Sequence, residues 1–311
     1  MGDRGKLIDI PDSYARRVLE LHGQAGATWL AKLPGLLNTF AAQWALRFDS
    51  PFADLSYNYV VPATRDDGER AVLKLGFPEP DLAREAEALR LTKGQGTVRL
   101  LAARVDCGAL LLERAWPGRA LQYLCKPNDV AATSIAASVM QRLWRPLPPT
   151  HDFPSVRDWA TDLKRAQAEK GGINPLPPRM LDLADGLLHD LICSMDEPVL
   201  LHGDLHHGNI LSSEREPWLA IDPKGIAGEP AAETGAIIRN PMPELLSWPK
   251  LPRVLERRVH QLAEELALDR KRVHAWATVQ AILAGVWMFE DHRQGWEPSF
   301  SIAEALASFR T

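Results

Sequence analysis

The stretch LLHGDLHHGNILSSEREPWLAID, residues 200–222, decides the fold of this chain of 311 residues. Its apolar pieces are short and polar residues separate them, which predicts strands joined by loops. The pieces NILSS and WLAID predict a hairpin that brings Asp222 back beside Asn209. A loop that carries Asp204 precedes this hairpin, so the predicted order is strand, loop, strand, turn, strand.

Asp204, Asn209 and Asp222 supply the oxygen atoms that phosphoryl transfer requires. This reaction needs an acceptor oxygen held in line and cations that offset the charge of the phosphates. A loop carboxylate such as Asp204 can take the proton of the acceptor. Mg²⁺ prefers oxygen ligands and keeps some water, so one amide and one carboxylate suffice beside the phosphates. Each residue alone is a common turn former, but the ordered set indicates phosphotransfer.

A metal site is the alternative interpretation of this segment, because His202, His206 and His207 are close in sequence and histidine is a common zinc ligand. His202 and His206 would need a helix to share a face. Gly203 and Gly208 make a helix unfavourable here. We therefore expect His202 to brace the loop, with His206 and His207 structural or lining the phosphate site.

Lys74 is the candidate phosphate-binding residue of the first part of the chain. Residues 56–64 and 70–75 are rich in strand formers, and Asp67-Gly68 between them predicts a hairpin. Lys74 lies near the end of the second strand, and the helix predicted over 81–93 follows with Glu85 and Glu87. A strand lysine held by a helix glutamate can contact the α- and β-phosphates of a nucleotide.

The remaining pattern predicts an α+β chain, in which a β-rich nucleotide-binding lobe, residues 1–114, precedes a helical catalytic and substrate lobe, residues 115–311. Strands over 98–104 and 109–113, joined by a turn at Cys107-Gly108, complete a small antiparallel sheet. Helices are predicted from residue 12, over 28–46, 81–93, 130–144, 156–169 and 178–194, and from residue 252 to the end.

Composition narrows the class of protein. The formal net charge of −4 argues against a nucleic acid or an anionic membrane as the main partner. Cys107, Cys125 and Cys193 are far apart, which favours neither a disulfide framework nor a thiolate zinc site. Residues 1–10 lack the apolar core of a signal peptide, and no uncharged apolar run approaches the ~18 residues of a membrane span. We expect a soluble cytoplasmic protein.

The order of strand lysine, helix glutamate, HGDLHHGN at 202–209 and IDPKG at 221–225 resembles the aminoglycoside phosphotransferases, which share the protein-kinase fold. The closer resemblance is to the aminoglycoside/hydroxyurea antibiotic-resistance kinases, the group that includes the streptomycin 6-phosphotransferases. It extends over nearly the whole chain. The phrases that carry it are VRLL at 98–101, LLLER at 110–114, LHGDLHHGNI at 201–210 and EPWLAIDP at 216–223.

The resemblance implies a bilobal kinase-like fold and assigns roles by position. Asp204 is implied as the catalytic base or as the residue that orients the acceptor hydroxyl. Asn209 and Asp222 are implied as ligands of Mg²⁺.

The implied nucleotide is ATP or GTP, and its site residues come from the first part of the chain. Lys74 is implied to contact the phosphates, and Glu85 to hold Lys74. The hinge from Glu113 to Ala115 is implied to bind the base through backbone groups.

Three features depart from the protein-kinase pattern. There is no glycine-rich loop, because the corresponding turn, near residues 56–59, contains no glycine. Glycine in such a turn lets backbone amides approach a phosphate. Pro223 follows Asp222 and stiffens the turn. No activation loop is recognisable between Asp222 and Pro230, which argues for a small molecule and against a peptide as acceptor.

The acceptor pocket is expected in the second lobe because the acceptor must meet Asp204. The candidate wall residues are Glu229, Glu233, Trp287, Glu290 and Asp291, with the segment 239–241. Their carboxylates suit a polycationic sugar such as streptomycin. Lys224 and Arg239 would suit phosphate or an anionic acceptor better.

Two alternatives to an antibiotic kinase stay open. One is a kinase of another small alcohol or sugar metabolite on the same fold, since a fold is a weak guide to substrate. The other is a catalytically silent nucleotide-binding module, which predicts loss of Lys74, Asp204, Asn209 or Asp222. All four residues are present.

Overall fold

The computed structural model describes most of the chain. The described residues are 10–53, 55, 57–77, 79–168 and 175–309. Parts of four expectations lie outside them: the lack of a signal over residues 1–9, Ser56 of the glycine-free turn, residue 169 of a predicted helix, and residues 310–311 of the helical end. No helix within the described residues is both long and apolar enough to cross a bilayer.

The chain forms two compact units. The first comprises Met1–Gly94 with Val98–Arg114, and the second comprises Gln95–Thr97 with Ala115–Thr311. The chain therefore leaves the first unit between Gly94 and Gln95, returns at Val98, and leaves it finally at Arg114.

The first unit contains a five-stranded antiparallel sheet of order β1-β2-β3-β5-β4. The strands are β1 (Leu46–Phe48), β2 (Tyr59–Arg65), β3 (Arg70–Leu75), β4 (Leu100–Arg104) and β5 (Ala109–Glu113). Both predicted connections are confirmed, with Gly68 (φ 88°) and Gly108 (φ 70°) in the left-handed conformation that the turns need. Lys74 pairs with Val60 on one side and Leu110 on the other, so it lies in the middle of the sheet.

Two helices accompany this sheet, α1 (Asp12–Gln43) and α2 (Pro80–Thr92). The sequence predicted two separate helices where α1 lies. In the structure they are one segment with a break at Gly23, whose φ of 51° and ψ of −126° are not helical. Leu33, Leu37 and Phe40 of α1 have helical spacing and join the buried apolar cluster of the sheet.

The second unit is mainly helical. Its helices are α3 (Gln122–Cys125), α4 (Asp129–Leu143), α5 (Trp159–Ala168), α6 (Pro178–Cys193), α7 (Pro230–Arg239), α8 (Leu251–Glu265), α9 (Arg270–His292) and α10 (Glu297–Ala307). The predicted helices are confirmed within a few residues at their ends. Helix α5 starts later than predicted because a 3₁₀ turn at Val156–Asp158 precedes it.

Two three-stranded sheets complete the second unit, in the orders β10-β9-β6 and β11-β8-β7. Their strands are β6 (Pro117–Ala120), β7 (Arg145–Pro146), β8 (Val199–Leu201), β9 (Ile210–Ser213), β10 (Trp218–Ala220) and β11 (Ile226–Gly228). The sequence predicted β8, β9 and β10, but not β6, where Pro117 and Gly118 indicate a break. Strand β6 lies at the edge of its sheet, where proline is tolerated.

The predicted hairpin over 210–222 is confirmed by its register. Ala220 pairs with Ile210, and the backbone N–H of Ile221 donates to the carbonyl of Asn209 at 2.9 Å. One residue further, Asp222 leaves the hairpin with φ 58°. Aspartate tolerates this left-handed conformation better than most residues.

Glu233 of α7 holds the loop that follows β8. Its carboxylate accepts backbone N–H bonds from His202 at 2.5 Å and from Gly203 at 3.0 Å. The side chain is only 2% exposed. Burial raises the pKa of Glu233 to about 7, and the two backbone donors offset part of that rise.

Arg258 of α8 holds the other end of α7. This side chain is fully buried and donates to the carbonyls of Ile237 at 3.0 Å, Ile238 at 2.9 Å, and Asn240. It also forms a two-pronged ion pair with Asp129 of α4, at 2.6 and 3.0 Å. Arg258 thus satisfies carbonyls that a helix end leaves unpaired, and it ties three helices together.

Replacing Arg258 with methionine is expected to lower the free energy of unfolding by about 3–5 kcal/mol, because Asp129 loses its buried partner and the carbonyls become unpaired. Urea titration followed by far-UV circular dichroism measures this change. Arg257→Gln is the matched control, since Arg257 also contacts Asp129 but is partly exposed, and it should cost about 1 kcal/mol or less. Equal losses of unfolding free energy in the two variants would contradict this structural role of Arg258.

Glu233→Gln is expected to change how stability depends on pH. The folded pKa of about 7 exceeds the ordinary 4.5, so the folded protein binds a proton that the unfolded chain releases. This contribution is fully present below pH 4.5 and is lost as pH rises through about 7. Relative to the variant, the wild type should lose up to about 3 kcal/mol over that window.

The measurement is urea unfolding of both proteins at several pH values from 4.5 to 8. Glu264→Gln, which removes an exposed carboxylate from α8, controls for the loss of one acidic group. If wild type instead gained stability relative to Glu233→Gln as the pH rises, the effect of burial on the pKa of Glu233 would have the opposite sign.

Candidate active site

The loop at 202–209 is fixed by its own backbone and by His202. The ring of His202 is buried, its Nε2 lies 2.8 Å from the carbonyl of Ile221, and its Nδ1 accepts the N–H of Asp204 at 3.3 Å. Burial lowers the pKa of His202 to about 4, so the ring is neutral and one tautomer makes both bonds. His202 braces the loop, as the sequence predicted.

Gly203 and the strand β11 fix the path of the chain just before Asp204. Gly203 has φ 84°, and a β-carbon there would lie 2.4 Å from Cγ1 of Ile226. The carbonyl of His202 accepts N–H bonds from Lys224 at 2.7 Å and Gly225 at 3.2 Å. The turn after Asp222 is therefore bonded directly to the loop that carries Asp204.

Asp204, Asn209 and Asp222 are brought together by these contacts. The side-chain Nδ2 of Asn209 donates to the carbonyl of Asp204 at 3.0 Å, and Ile221 beside Asp222 bonds to the Asn209 backbone. Because its nitrogen is used, Asn209 has its amide oxygen left for a cation. Asp222 is exposed and carries a carboxylate. This pair of oxygen donors fits Mg²⁺, which prefers such ligands.

Arg239, the last residue of α7, is the basic group beside Asp204. Its Nη2 lies 3.8 Å from Oδ1 of Asp204, and its side chain is one-fifth exposed. Its buried Nε has no hydrogen-bond partner among the described residues. Burial lowers the pKa of Arg239, and the charge of Asp204 opposes that shift.

The three histidines have different environments. His206 accepts the N–H of Gly208 at 3.0 Å, and burial lowers its pKa against the opposing charge of Asp204. His207 is fully buried, and neither ring nitrogen has a hydrogen-bond partner in the described part of the chain. A zinc site built from His202, His206 and His207 is therefore not formed by the residues the structure describes.

His207 instead lies with Cys125 and Asp129, and the possible ligand atoms of these three lie within 4.8 Å of one another. The carboxylate of Asp129 is already bound by Arg258 and Arg257. A cation there would meet two guanidinium groups, so this cluster is not a favourable metal site.

Lys74 and Glu85 form a buried ion pair within the first unit. Nζ of Lys74 lies 2.9 and 2.7 Å from the two carboxylate oxygens of Glu85, and the residues are 4% and 6% exposed. Glu87, the other glutamate on that helix, is exposed and pairs with Arg90 at 3.1 Å. Asn58, in the turn without glycine, packs against Gly76. A β-carbon on residue 76 would lie 2.0 Å from Oδ1 of Asn58, so glycine is required at this position.

Glu113 and Ala115, the predicted hinge, stand on either side of the boundary between the two units. The N–H of Glu113 donates to the carbonyl of Arg99 at 2.8 Å, and its carboxylate accepts the N–H of Arg99 at 2.9 Å. Ala115 is buried. Contact of this segment with a nucleotide base stays a prediction.

Glu229 and Glu233, two predicted acceptor contacts, are buried and already bound within the protein. Glu229 forms a two-pronged pair with Arg272 at 2.6 and 2.9 Å, and Trp276 also donates to it. Glu233 binds the loop backbone as described above. Their contact with an acceptor stays a prediction, and each carboxylate has a structural partner.

Trp287, Glu290 and Asp291 lie near the end of α9. Glu290 is bound by Arg165 of α5 through two hydrogen bonds of 2.7 and 2.8 Å. Nε1 of Trp287 donates to Asp162 at 3.0 Å, and Asp291 is exposed. Arg165 therefore neutralises part of the charge of Glu290, while Asp291 lies exposed beside it in sequence.

Sequence reasoning missed the roles of Glu233 and Arg258 at the two ends of α7. A signal was present for Glu233, because it is the one charged residue within AAETGAII, an otherwise small and apolar helical stretch. Such a residue needs a buried partner. The partner is backbone about thirty residues earlier, and no spacing rule identifies it.

Comparison with known proteins places the chain in a family. The family described as aminoglycoside/hydroxyurea antibiotic resistance kinase matches residues 43–292. The chain is 32% identical over 312 residues to a streptomycin 6-kinase of Streptomyces glaucescens, covering 97% of this chain and 98% of that protein. It is 33% identical over 311 residues to a hydroxyurea phosphotransferase of Kitasatospora aureofaciens, covering 97% and 87%.

A solved structure shows the same fold. A thermostable variant of aminoglycoside phosphotransferase APH(4)-Ia, in a ternary complex with ADP and hygromycin B, superposes with a TM-score of 0.60 at 13% identity, covering 86% of this chain and 97% of that one. With its protein-kinase-like fold and its sequence similarity over nearly the whole length, the chain is a phosphotransferase that belongs to the aminoglycoside/hydroxyurea antibiotic resistance kinase family.

Proposed function

We propose that this protein transfers the γ-phosphoryl group of ATP or GTP to a hydroxyl of streptomycin or a similar aminoglycoside in the cytoplasm, and so inactivates the antibiotic. The observation that carries the proposal is the bonded set of Asp204, Asn209 and the hairpin that ends at Asp222. The streptomycin 6-kinase relative supports the acceptor.

Asp204 accepts or orients the proton of the acceptor hydroxyl. Glu233 and His202 fix its loop, and its side chain is one-third exposed. The amide oxygen of Asn209 and the carboxylate of Asp222 would hold Mg²⁺. When bound, that cation offsets the negative charge of the nucleotide phosphates. His202 stays neutral and keeps the Asp204 backbone in place.

Lys74 contacts the phosphates of the nucleotide, and Glu85 keeps its ammonium group oriented. A buried lysine that is already paired has lost most of its conformational freedom before the nucleotide binds. That preorganisation reduces the entropy cost of binding. The ADP complex of the related fold supports a nucleotide as the phosphoryl donor.

Phosphotransfer to hydroxyurea is the second candidate function, because a relative of similar identity is named for it. The two acceptors differ in charge: streptomycin carries guanidinium groups and hydroxyurea is neutral. The carboxylates of Glu290 and Asp291 favour the cation. Arg165 reduces that preference, because it neutralises part of the charge of Glu290.

An acceptor screen tests the proposal. Purified protein with Mg²⁺ and ATP or GTP should phosphorylate streptomycin, and mass spectrometry of the product measures the transfer. Asp204→Ala should lower kcat by at least ~10²-fold, because the acceptor loses its general base. Asp182→Ala, an exposed aspartate of α6, is the matched control and should keep wild-type kcat.

Transfer to a metabolite or to hydroxyurea, with none to any aminoglycoside, would replace the proposed acceptor and keep the reaction. Wild-type kcat in Asp204→Ala would refute the role of Asp204.

Glu290→Gln tests whether the end of α9 recognises the charge of the acceptor. The change turns the group of Glu290, Asp162 and Arg165 from net negative to neutral. We expect KM for streptomycin to rise by roughly 3- to 10-fold while KM for hydroxyurea and kcat stay unchanged, since a rim charge contributes modestly. Equal changes in both KM values would indicate a structural effect, and no change would place the acceptor elsewhere.

A further inference from the structure

Arg239 is a largely buried cation, one-fifth exposed, whose Nε has no partner among the described residues. Its nearest counter-charge, Oδ1 of Asp204, is 3.8 Å from Nη2. At that distance the two charges form an ion pair, but the atoms are too far apart for a hydrogen bond. An unpaired, buried guanidinium N–H is costly, so the free protein keeps a donor ready for a group it does not itself contain.

The ordinary structural role for an arginine at this place is taken by another residue. A basic side chain at a helix end usually binds the last carbonyls. At the end of α7 those carbonyls, of Ile237, Ile238 and Asn240, are bound by Arg258. Arg239 is therefore not needed to cap the helix.

The position of Asp204 limits which anion reaches Arg239. An acceptor hydroxyl that gives its proton to Asp204 must lie about 2.6–3.2 Å from the carboxylate. The hydroxyl oxygen bonds to the phosphorus, so the phosphoryl group lies next to the hydroxyl. The oxygens of that phosphoryl group carry its negative charge. Without a cation between them, that charge would meet the carboxylate of Asp204 at short range.

We propose that Arg239 is a catalytic residue that binds the phosphoryl group as it arrives on the acceptor and as part of the product. The proposal rests on the phosphotransfer function proposed above. In the step, the bond between the γ-phosphorus and the bridging oxygen breaks, and its electron pair leaves with the nucleoside diphosphate. The acceptor oxygen forms the new bond to phosphorus, and its proton passes to Asp204.

Arg239 keeps its own proton throughout and donates from its guanidinium group, through Nη2 beside Asp204, to the phosphoryl oxygens. A planar guanidinium matches two oxygens of a phosphate, which an ammonium cannot do.

The test compares Arg239→Met and Arg239→Lys with wild type, using streptomycin or the acceptor that the screen identifies. We expect kcat to fall by at least about 10²-fold in Arg239→Met and by less in Arg239→Lys. Arg257→Gln is the control, because Arg257 is also an arginine whose pKa burial lowers, and it should keep wild-type kcat. The midpoint of thermal unfolding should not fall in Arg239→Met, since the variant loses a poorly paired buried charge.

Binding of the product separates this role from one in which Arg239 only orients Asp204. The phosphorylated acceptor, made with wild-type enzyme, is titrated into each variant by calorimetry beside the unmodified acceptor. We expect Arg239→Met to bind the phosphorylated form about tenfold more weakly or worse, with unchanged affinity for the unmodified form. Equal affinity of wild type and Arg239→Met for the product would overturn the proposal.

A failure of the proposed function is distinguishable from a failure of this inference. If folded wild-type protein phosphorylates no acceptor, its hydrolysis of Mg²⁺·ATP by water is measured in the same variants. Hydrolysis lost in Arg239→Met would support the role of Arg239 alone, and hydrolysis kept would overturn it. Wild-type protein that transfers to neither an acceptor nor water would overturn both.

Discussion

The bond between the buried carboxylate of Glu233 and the amides of His202 and Gly203 fixes the part of the molecule where chemistry takes place. Asp204 follows these amides directly, so its position is set by helix α7 and not by the loop alone. Arg239, at the other end of that helix, lies 3.8 Å from the same aspartate. The ten-residue helix α7 therefore fixes the backbone that precedes Asp204 and also places a cation beside the Asp204 carboxylate.

This arrangement depends on α7 being rigid, and its neighbours provide that rigidity. Arg258 binds the carbonyls at its end and connects it to Asp129 of α4. A helix of small apolar residues, such as Ala231 and Ala236, packs closely in the core, and both are buried. Misplacement of a reacting group by a small distance is costly in rate, which explains why so many buried polar contacts converge here.

The same contacts cost stability. Burial raises the pKa of Glu233 and lowers those of His202 and Arg239, so each group is held in an environment that disfavours its charged form. Interiors made only of apolar residues would fold more stably. Perturbed groups of this kind collect at functional sites, where stability is given up for reactivity.

Local pattern explains what the sequence predicted well. The hairpin of β9 and β10, the sheet around Lys74 and the order of Asp204, Asn209 and Asp222 are each set within some twenty residues, where alternation and turn residues are informative. The kinase-like fold and the family followed from those motifs and were confirmed.

Long-range contacts explain what the sequence did not predict. Glu233 was expected at the acceptor and binds backbone about thirty residues earlier, and Arg258 bonds to a carboxylate 129 positions away. The edge strand β6 was missed because Pro117 and Gly118 contradict strand propensity. Its pairing with β9 overrides that local preference.

The ion pair of Lys74 and Glu85 has a consequence for control of the enzyme. In protein kinases, activation acts by bringing this kind of pair into place. Here the pair is already formed and buried within one compact unit. The segment that follows Asp222, PKGIAGE, contains no hydroxyl side chain to phosphorylate, and its strand β11 is paired with β8. Phosphorylation of that segment therefore cannot act as a switch, and the pair of Lys74 and Glu85 is formed without it.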